Sequence, residues 1–157
     1  MNVVIFDLDD TLFDRWGQLD ETYKNLPNIK PFPETKEVLL APGFKKVLVS
    51  RGDPAIQNKK IEVLGIKNFF DDILVCSTLE EKKELFERIA KKYKAKKGEV
   101  FIVGDRIDSE IRYGNMLGFV TILLKHGKYK DLKPKDEFEI PTFTIQNLRQ
   151  VVDICKP

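Results

Sequence analysis

Short apolar segments rich in β-branched residues alternate with amphipathic segments along the 157-residue chain. The apolar segments are nearly continuous, which is typical of parallel strands that are covered on both faces. They lie at residues 3–6, 46–50, 72–76, 100–104 and 120–124, with a further candidate near 142–145. Helical patterns lie between or after them, at residues 34–40, 56–64, 79–93, 109–117 and 147–154. The alternation predicts a doubly wound, Rossmann-like α/β fold with a parallel sheet and helices on both faces.

The order of the strands and the extent of the domain follow from simple assumptions. We assume the strand order 5-4-1-2-3, which makes the fourth, first and second strands neighbours. The length suits a single domain over residues 1–157. One irregular segment, residues 12–32, is polar and proline-rich. Because it has only about twenty residues, we expect a minimal cap or flap within that domain and not a second domain.

Composition excludes two classes of protein. Hydrophobic residues make up 42% of the chain and charged residues 33%, with a net charge of +2, which argues against a disordered or a membrane protein. The N-terminal apolar run is too short to span a membrane, and acidic residues follow it where a signal peptide would have small ones. We therefore expect a cytoplasmic protein that does not contact membranes.

Polar residues follow three of the predicted strands at their carboxyl ends. Asp7 and Asp9 follow the first strand, Ser50 and Arg51 end the second, and Asp105 follows the fourth. Ligands of open α/β sheets bind at this edge, where the strand order reverses, so we expect these side chains to converge. Carboxylates so close together indicate a bound cation or a proton-transfer site. Oxygen ligands, in a chain with one histidine, favour Mg²⁺ over zinc.

The helix predicted over residues 79–93 provides a positive charge at the same edge. Thr78 and Glu81 have the spacing of a capping box, which fixes the first turn. A rotation of about 100° per residue then places Lys82 within the apolar stripe and Lys83 outside it. A lysine in the first turn opposes the helix dipole. We therefore expect Lys82 to reach an anionic ligand; the alternative is that its stem only packs along the core.

The same residues, in chain order, resemble the four sequence motifs of the haloacid dehalogenase superfamily. The matching elements are Asp7-Leu8-Asp9-Asp10-Thr11, Val47-Leu48-Val49-Ser50, an inward-pointing lysine, and Gly104-Asp105. The resemblance spans nearly the whole chain. It implies a phosphatase in which Asp7 is the nucleophile that becomes an aspartyl-phosphate. Asp9 is then the general acid that protonates the leaving oxygen and the general base that activates water.

The resemblance also implies the ligands of the metal ion and of the phosphate. Mg²⁺ would be held by Asp7, by the main-chain carbonyl of Asp9 and by Asp105. The phosphate oxygens would be bound by Ser50, Arg51 and the lysine of the third motif.

Two positions stay open at this point. The lysine-proline pair usual in the third motif is absent, so Lys83 remains an alternative to Lys82. The second acid of the fourth motif is Glu110, five residues after Asp105, or Asp108, three residues after it. Either acid would act on the metal through water, or would only favour a helix N-terminus.

Other functions fit the sequence less well. A dehalogenase needs no acid two residues after the nucleophile, because halide leaves without a proton, so Asp9 favours phosphate esters. A receiver domain has its acid pair after the first strand, its phosphoacceptor after the third and its lysine after the fifth. The order of the corresponding residues along this chain is different. A non-catalytic phosphate-binding or regulatory relative would have lost one of Asp7, Asp9 or Asp105, and all three are present.

The small insertion and a basic segment bear on substrate and partners. Members of the superfamily with little or no cap act on large substrates or use a neighbouring subunit as a lid, so a homo-oligomer is one expectation. Lysines at 125, 128, 130, 133 and 135 follow the fifth strand at the ligand-binding edge. They would suit a nucleotide or a nucleic-acid end, but in so lysine-rich a chain a solvated loop is the simpler explanation.

Overall fold

The computed structural model describes all 157 residues and contains one six-stranded parallel sheet. The strands are β1 (Asn2–Phe6), β2 (Phe44–Arg51), β3 (Asp72–Cys76), β4 (Val100–Gly104), β5 (Val120–Leu124) and β6 (Phe143–Ile145). Their order is β3-β2-β1-β4-β5-β6. This confirms the doubly wound α/β fold and, read from the opposite edge, the predicted order of the first five strands. The difference in detail is β6, which extends the sheet beyond β5.

Helices cover both faces of this sheet. They are α1 (Arg15–Gln18), α2 (Thr35–Leu40), α3 (Pro54–Leu64), α4 (Leu79–Lys92), α5 (Arg112–Met116) and α6 (Gln150–Ile154). None of them has the length and the apolar composition that crossing a membrane requires.

The alternation of side chains along β1 shows how the two cores form. Val4 and Phe6 belong to the larger core, which includes residues of α2, α3 and α6. Val3 and Ile5 belong to a second core, on the face that α4 covers. Both sets are buried, so the strand reads as continuously apolar. Asp7 has the same parity as Val3 and Ile5, and its side chain contacts α4.

The cap of α4 and the start of α5 differ from the sequence prediction. Thr78 caps α4 by accepting a hydrogen bond from the Glu81 N–H, but the Glu81 carboxylate accepts from Ser77, not from Thr78. The helix predicted over 109–117 is preceded by a π-helical turn, Ile107–Ile111, and α5 begins only at Arg112. A π turn carries one more residue than an α turn, so faces predicted with α-helical spacing do not hold there.

The insertion, residues 12–32, contains α1 and a single 3₁₀ turn, Leu26–Asn28. Leu12, Phe13, Leu19 and Ile29 are buried in the larger core. The segment therefore packs against the sheet domain at its base and leaves polar residues of α1 at the ligand-binding edge.

Candidate active site

Asp7 and Asp105 are brought together by the pairing of two parallel strands. Phe6 of β1 lies beside Val103 of β4, and the Asp7 N–H donates to the Val103 carbonyl at 3.0 Å. Each aspartate follows its strand at the carboxyl end, as the sequence predicts. Both carboxylates are buried, with 8% and 3% of their residue surface exposed.

Lys82 joins these acids from α4. Its Nζ atom donates hydrogen bonds to Asp7 Oδ1 at 3.0 Å and to Glu110 Oε1 at 2.8 Å. The side chain is almost fully buried. Lys83, the alternative, is half-buried and contributes nothing to the cavity that contains Asp7. The helical periodicity of α4 thus predicted which of the two lysines contacts the acids.

Glu110 reaches the same point from the π-helical turn. Carboxylate oxygens of Asp7, Asp105 and Glu110, here named the carboxylate cluster, lie within 4.8 Å of one another. Gly104 makes room for this approach, because a Cβ atom there would lie 2.5 Å from Glu110 Cγ. Oε2 of Glu110 is buried and has no hydrogen-bond partner. A buried carboxylate oxygen without a partner is costly, which indicates that the cluster is built to take a cation.

The electrostatics of the carboxylate cluster support the same conclusion. Burial, together with repulsion from Glu110, raises the pKa of Asp7 to about 7. Burial, together with repulsion from Glu110 and Asp7, raises the pKa of Asp105 well above its usual value. Burial also acts to raise the pKa of Glu110, but the Lys82 ammonium holds that pKa below its usual value. Three acids and one lysine leave excess negative charge, which protons or a divalent cation can balance.

Asp108, the other candidate for the second acid of the fourth motif, lies outside the cluster. Its carboxylate makes a bidentate ion pair with Arg106, with two N···O distances of 2.9 Å. The guanidinium in turn stacks on the Tyr129 ring, 4.0 Å from its centroid. The geometry therefore brings Glu110 and not Asp108 to Asp7.

Asp9 is held by two side chains of α3. Oδ1 accepts a hydrogen bond from Lys60 Nζ at 2.8 Å, and Oδ2 accepts one from Gln57 Nε2 at 3.2 Å. Gln57 Nε2 also lies 2.6 Å from Ser50 Oγ. Sequence reasoning did not assign Lys60 or Gln57 to the site. The signal was present, because both lie on the buried face of α3 with Ile61 and Leu64, as Lys82 does on α4.

Asp10 shapes the chain after β1 and does not join the cluster. Its backbone has a φ of 59°, in the left-handed region that aspartate tolerates better than most residues. Oδ1 accepts from the Trp16 N–H at 3.0 Å. His126 Nε2 lies 3.5 Å from Asp10 Oδ1 and 2.9 Å from Asp14 Oδ1. These contacts attach the insertion to the loop that follows β5.

A cavity of about 280 Å³ contains the carboxylate cluster and opens to solvent. Asp9 and Lys82 also line it. Residues of three other segments surround its mouth: Arg15 and Trp16 of the insertion, Arg51 at the end of β2, and Lys128 after β5. Ser50 is buried, with 1% of its surface exposed, and does not line this cavity. The arrangement can admit a small anionic group to Asp7 through a basic entrance.

Comparison with known proteins places this site in a family. A family model described as haloacid dehalogenase-like hydrolase matches residues 14–118, which include Ser50, Lys82 and Asp105. This chain belongs to the haloacid dehalogenase-like hydrolases. The match confirms the resemblance that the sequence motifs indicated.

Curated relatives of this hydrolase are named as phosphatases. It is 31% identical over 134 residues to the glyceraldehyde 3-phosphate phosphatase of Methanopyrus kandleri, covering 82% of this chain and 58% of that one. It is 34% identical over 143 residues to that of Methanocaldococcus jannaschii, covering 86% and 61%. A phosphoglycolate phosphatase of Aquifex aeolicus is 31% identical over 131 residues, covering 80% and 59%. The hydrolase thus spans about three fifths of the length of these relatives.

Solved structures agree in fold. A predicted phosphoglycolate phosphatase from Haemophilus somnus superimposes with a TM-score of 0.82 at 16% identity, covering 99% of this chain and 98% of that one. The putative hydrolase YfnB from Bacillus subtilis, described as bound to magnesium, superimposes with a TM-score of 0.74 at 18% identity, covering 99% of each chain. At these identities the likeness concerns the fold alone.

Proposed function

We propose that this hydrolase is a Mg²⁺-dependent phosphatase of phosphate monoesters that acts through an aspartyl-phosphate on Asp7. The observation that carries the proposal is the position of Asp7. Its carboxylate lies in an open cavity between a buried lysine and two further buried acids, at the edge of the sheet where ligands bind. The names of the curated relatives support the same reaction class.

The proposed reaction has two displacement steps at phosphorus, in which Asp7 is the nucleophile and Asp9 transfers the protons. A carboxylate oxygen of Asp7 attacks phosphorus, an acyl-phosphate bond forms, and the ester P–O bond breaks. Asp9 gives its proton to the leaving oxygen. Asp9 then takes a proton from the water that attacks the same phosphorus, which frees Asp7 and releases inorganic phosphate.

Other side chains hold the phosphoryl group. Lys82 and Ser50 are proposed to bind its equatorial oxygens, and Arg51 at the mouth to guide and bind the incoming anion. Lys82 also keeps Glu110 in place through the 2.8 Å contact. Arg51 suits this role because it is exposed at the end of β2 and lines the cavity that contains Asp7.

The donor set fits Mg²⁺. Asp7 and Asp105 would hold the ion together with the main-chain carbonyl of Asp9, and the unpartnered Oε2 of Glu110 would complete its surroundings directly or through water. When bound, the ion supplies positive charge that offsets repulsion between these acids and a phosphate dianion. The magnesium described for the similarly folded YfnB supports this choice of metal.

The substrate is proposed to be a small phosphate monoester. The names of the relatives, glyceraldehyde 3-phosphate phosphatase and phosphoglycolate phosphatase, favour this class. Nucleotides or nucleic-acid ends are the alternative that the basic entrance allows. A second copy of the chain that covers the open mouth would serve either class as a lid.

Phosphate release from p-nitrophenyl phosphate tests the proposal. We expect Mg²⁺-dependent turnover that chelation with EDTA abolishes, and no turnover by Asp7→Asn. Asp153→Asn is the matched control, because Asp153 is an exposed acid that pairs with Lys156 away from the cavity. Wild-type turnover in Asp7→Asn would refute the assignment of the nucleophile. Assays with glyceraldehyde 3-phosphate, phosphoglycolate and nucleoside monophosphates would then identify the preferred substrate class.

A further inference from the structure

Asp9 has a hydrogen-bond donor fixed at each of its two carboxylate oxygens. Lys60 Nζ donates to Oδ1 at 2.8 Å, and Gln57 Nε2 donates to Oδ2 at 3.2 Å. Lys60 and Gln57 are one helical turn apart on α3 and are 1% and 2% exposed, whereas the Asp9 side chain is 27% exposed. A rigid, buried pair of donors thus holds a carboxylate that faces the cavity.

Packing alone does not explain a lysine at position 60. Apart from Gln57, the other buried residues of this face of α3 are the apolar Ile61 and Leu64. Burying an ammonium group is costly unless a charge partner compensates for the lost water. The single carboxylate within ion-pair distance of Lys60 is that of Asp9. The Tyr23 ring, with its centroid 5.7 Å away, adds a weaker cation–π contact.

Gln57 connects Asp9 to Ser50, to which the proposed function gives the binding of phosphate oxygens. Its Nε2 atom lies 2.6 Å from Ser50 Oγ as well as 3.2 Å from Asp9 Oδ2. Gly52 gives the Gln57 side chain its space, because a Cβ atom at position 52 would lie 3.0 Å from two Gln57 side-chain carbons. The amide therefore fixes the separation between the group that handles the leaving oxygen and a group that binds phosphate oxygens.

We infer that Lys60 and Gln57 are positioning residues that orient Asp9 toward the leaving oxygen and set its distance from Ser50. This inference rests on the proposed phosphatase function. Proton transfer depends on heavy-atom distances of about 3 Å, so a carboxylate free to rotate transfers its proton less often in the productive geometry. Loss of Lys60 acts through Asp9 and not on phosphorus directly.

The test compares two substrates that differ in their need for the proton. An alkyl phosphate such as ethyl phosphate leaves as a strongly basic alkoxide and requires a general acid. p-Nitrophenyl phosphate leaves as a stable phenolate and does not. For Lys60→Met we expect kcat/KM for the alkyl ester to fall about 10- to 100-fold, and kcat/KM for the aryl ester to fall less than about threefold. This ratio reports on the step that phosphorylates Asp7 and not on the later hydrolysis, which is the same for both esters.

Three variants accompany this comparison. Lys60→Arg, which keeps the charge, should recover part of the lost rate on the alkyl ester. In an Asp9→Asn background, Lys60→Met should have little further effect, because the two changes act on one group. Lys59→Met is the matched control, since Lys59 is the neighbouring exposed lysine and pairs with Glu62. It should keep the wild-type rates on both esters.

The outcomes separate this inference from the function on which it rests. Equal losses of kcat/KM on the two esters in Lys60→Met, or losses that add to those of Asp9→Asn, would show a general structural role and overturn the inference alone. If Lys60→Met misfolds, Lys60→Gln, which removes the charge but keeps a polar end, takes its place in the same comparison, and the same pattern is expected. Wild-type protein that hydrolyses neither ester would overturn the proposed function and the inference with it.

Discussion

Substitution of Lys82 by methionine removes the one cation of the carboxylate cluster and should destabilise the metal-free protein. The ammonium lies 3.0 Å from Asp7 Oδ1 and 2.8 Å from Glu110 Oε1. Coulomb's law with an effective dielectric constant of about 20 gives roughly 6 kcal/mol for each contact. The cost of burying the ammonium offsets much of this, and breaking a buried ion pair costs about 3–5 kcal/mol net.

The loss should depend on pH, and the sign follows from the acids that remain. Burial and mutual repulsion already raise the pKa of Asp7 to about 7, above its value in the unfolded chain. An acid with a raised folded pKa costs stability as pH rises from the unfolded to the folded pKa. Without Lys82 the folded pKa values rise further, so protons neutralise the acids at about pH 5 but not at about pH 8. We expect the larger loss at the higher pH.

Urea unfolding in EDTA, followed by circular dichroism, measures this loss at both pH values. Lys83→Met is the matched control, because Lys83 is the adjacent lysine of α4 and makes no ion pair. We expect a loss of about 3–5 kcal/mol for Lys82→Met at the higher pH and less than about 0.5 kcal/mol for Lys83→Met. Equal stability of wild type and Lys82→Met at the higher pH would refute the buried ion cluster. Phosphatase assays of the same two variants would decide which lysine serves the third motif.

Three further predictions concern the metal site. Because the pKa values of Asp7 and Asp105 are raised, Mg²⁺ must compete with protons for these carboxylates. Thermal melts should therefore show a larger Mg²⁺-induced rise in Tm at about pH 8 than at about pH 5. Equal rises at the two pH values would contradict this prediction. Glu110→Gln should weaken Mg²⁺ binding by about tenfold or more in calorimetry. Asp108→Asn should weaken it by less than about twofold, because the Asp108 carboxylate is paired with Arg106. The reverse order would assign the second acid to Asp108. Gly104→Ala should cost about 1–3 kcal/mol in urea unfolding, because its Cβ atom would displace the Glu110 side chain, and unchanged stability would show that the chain relaxes there freely.

Residues that continue a regular pattern could be predicted from the sequence. Asp7 and Asp105 follow β-branched runs whose parallel pairing brings their ends together, so only the strand order had to be assumed. Lys82 was predictable because α4 is a regular helix of 14 residues with its first turn fixed by Thr78. In each case the regular spacing of buried side chains along one strand or helix continues up to the residue in question, so its direction could be predicted.

Residues whose position depends on irregular backbone or on distant contacts could not be predicted. Glu110 and Asp108 lie in a π-helical turn, where α-helical spacing assigns the wrong faces. Asp108 pairs with Arg106, two residues away, and the sequence does not indicate which of several nearby charged residues it will pair with. Lys60 contacts Asp9, which lies 51 residues away in the sequence. The spacing of residues within α3 does not indicate which acid will be the partner of Lys60. The buried face that contains Lys60 was nevertheless a signal that the residue has one.

The most direct test of the account is a search for phosphate bound covalently to Asp7. The Asp9→Asn variant, incubated with p-nitrophenyl phosphate and Mg²⁺ and quenched in acid, should accumulate the intermediate. The aryl group leaves without a proton, but the water that would release phosphate lacks its base. Mass spectrometry of the peptides should find one phosphoryl group on the segment that contains Asp7, and none in Asp7→Asn. A phosphoryl group on another residue, or an active enzyme that never carries one, would contradict the proposed mechanism.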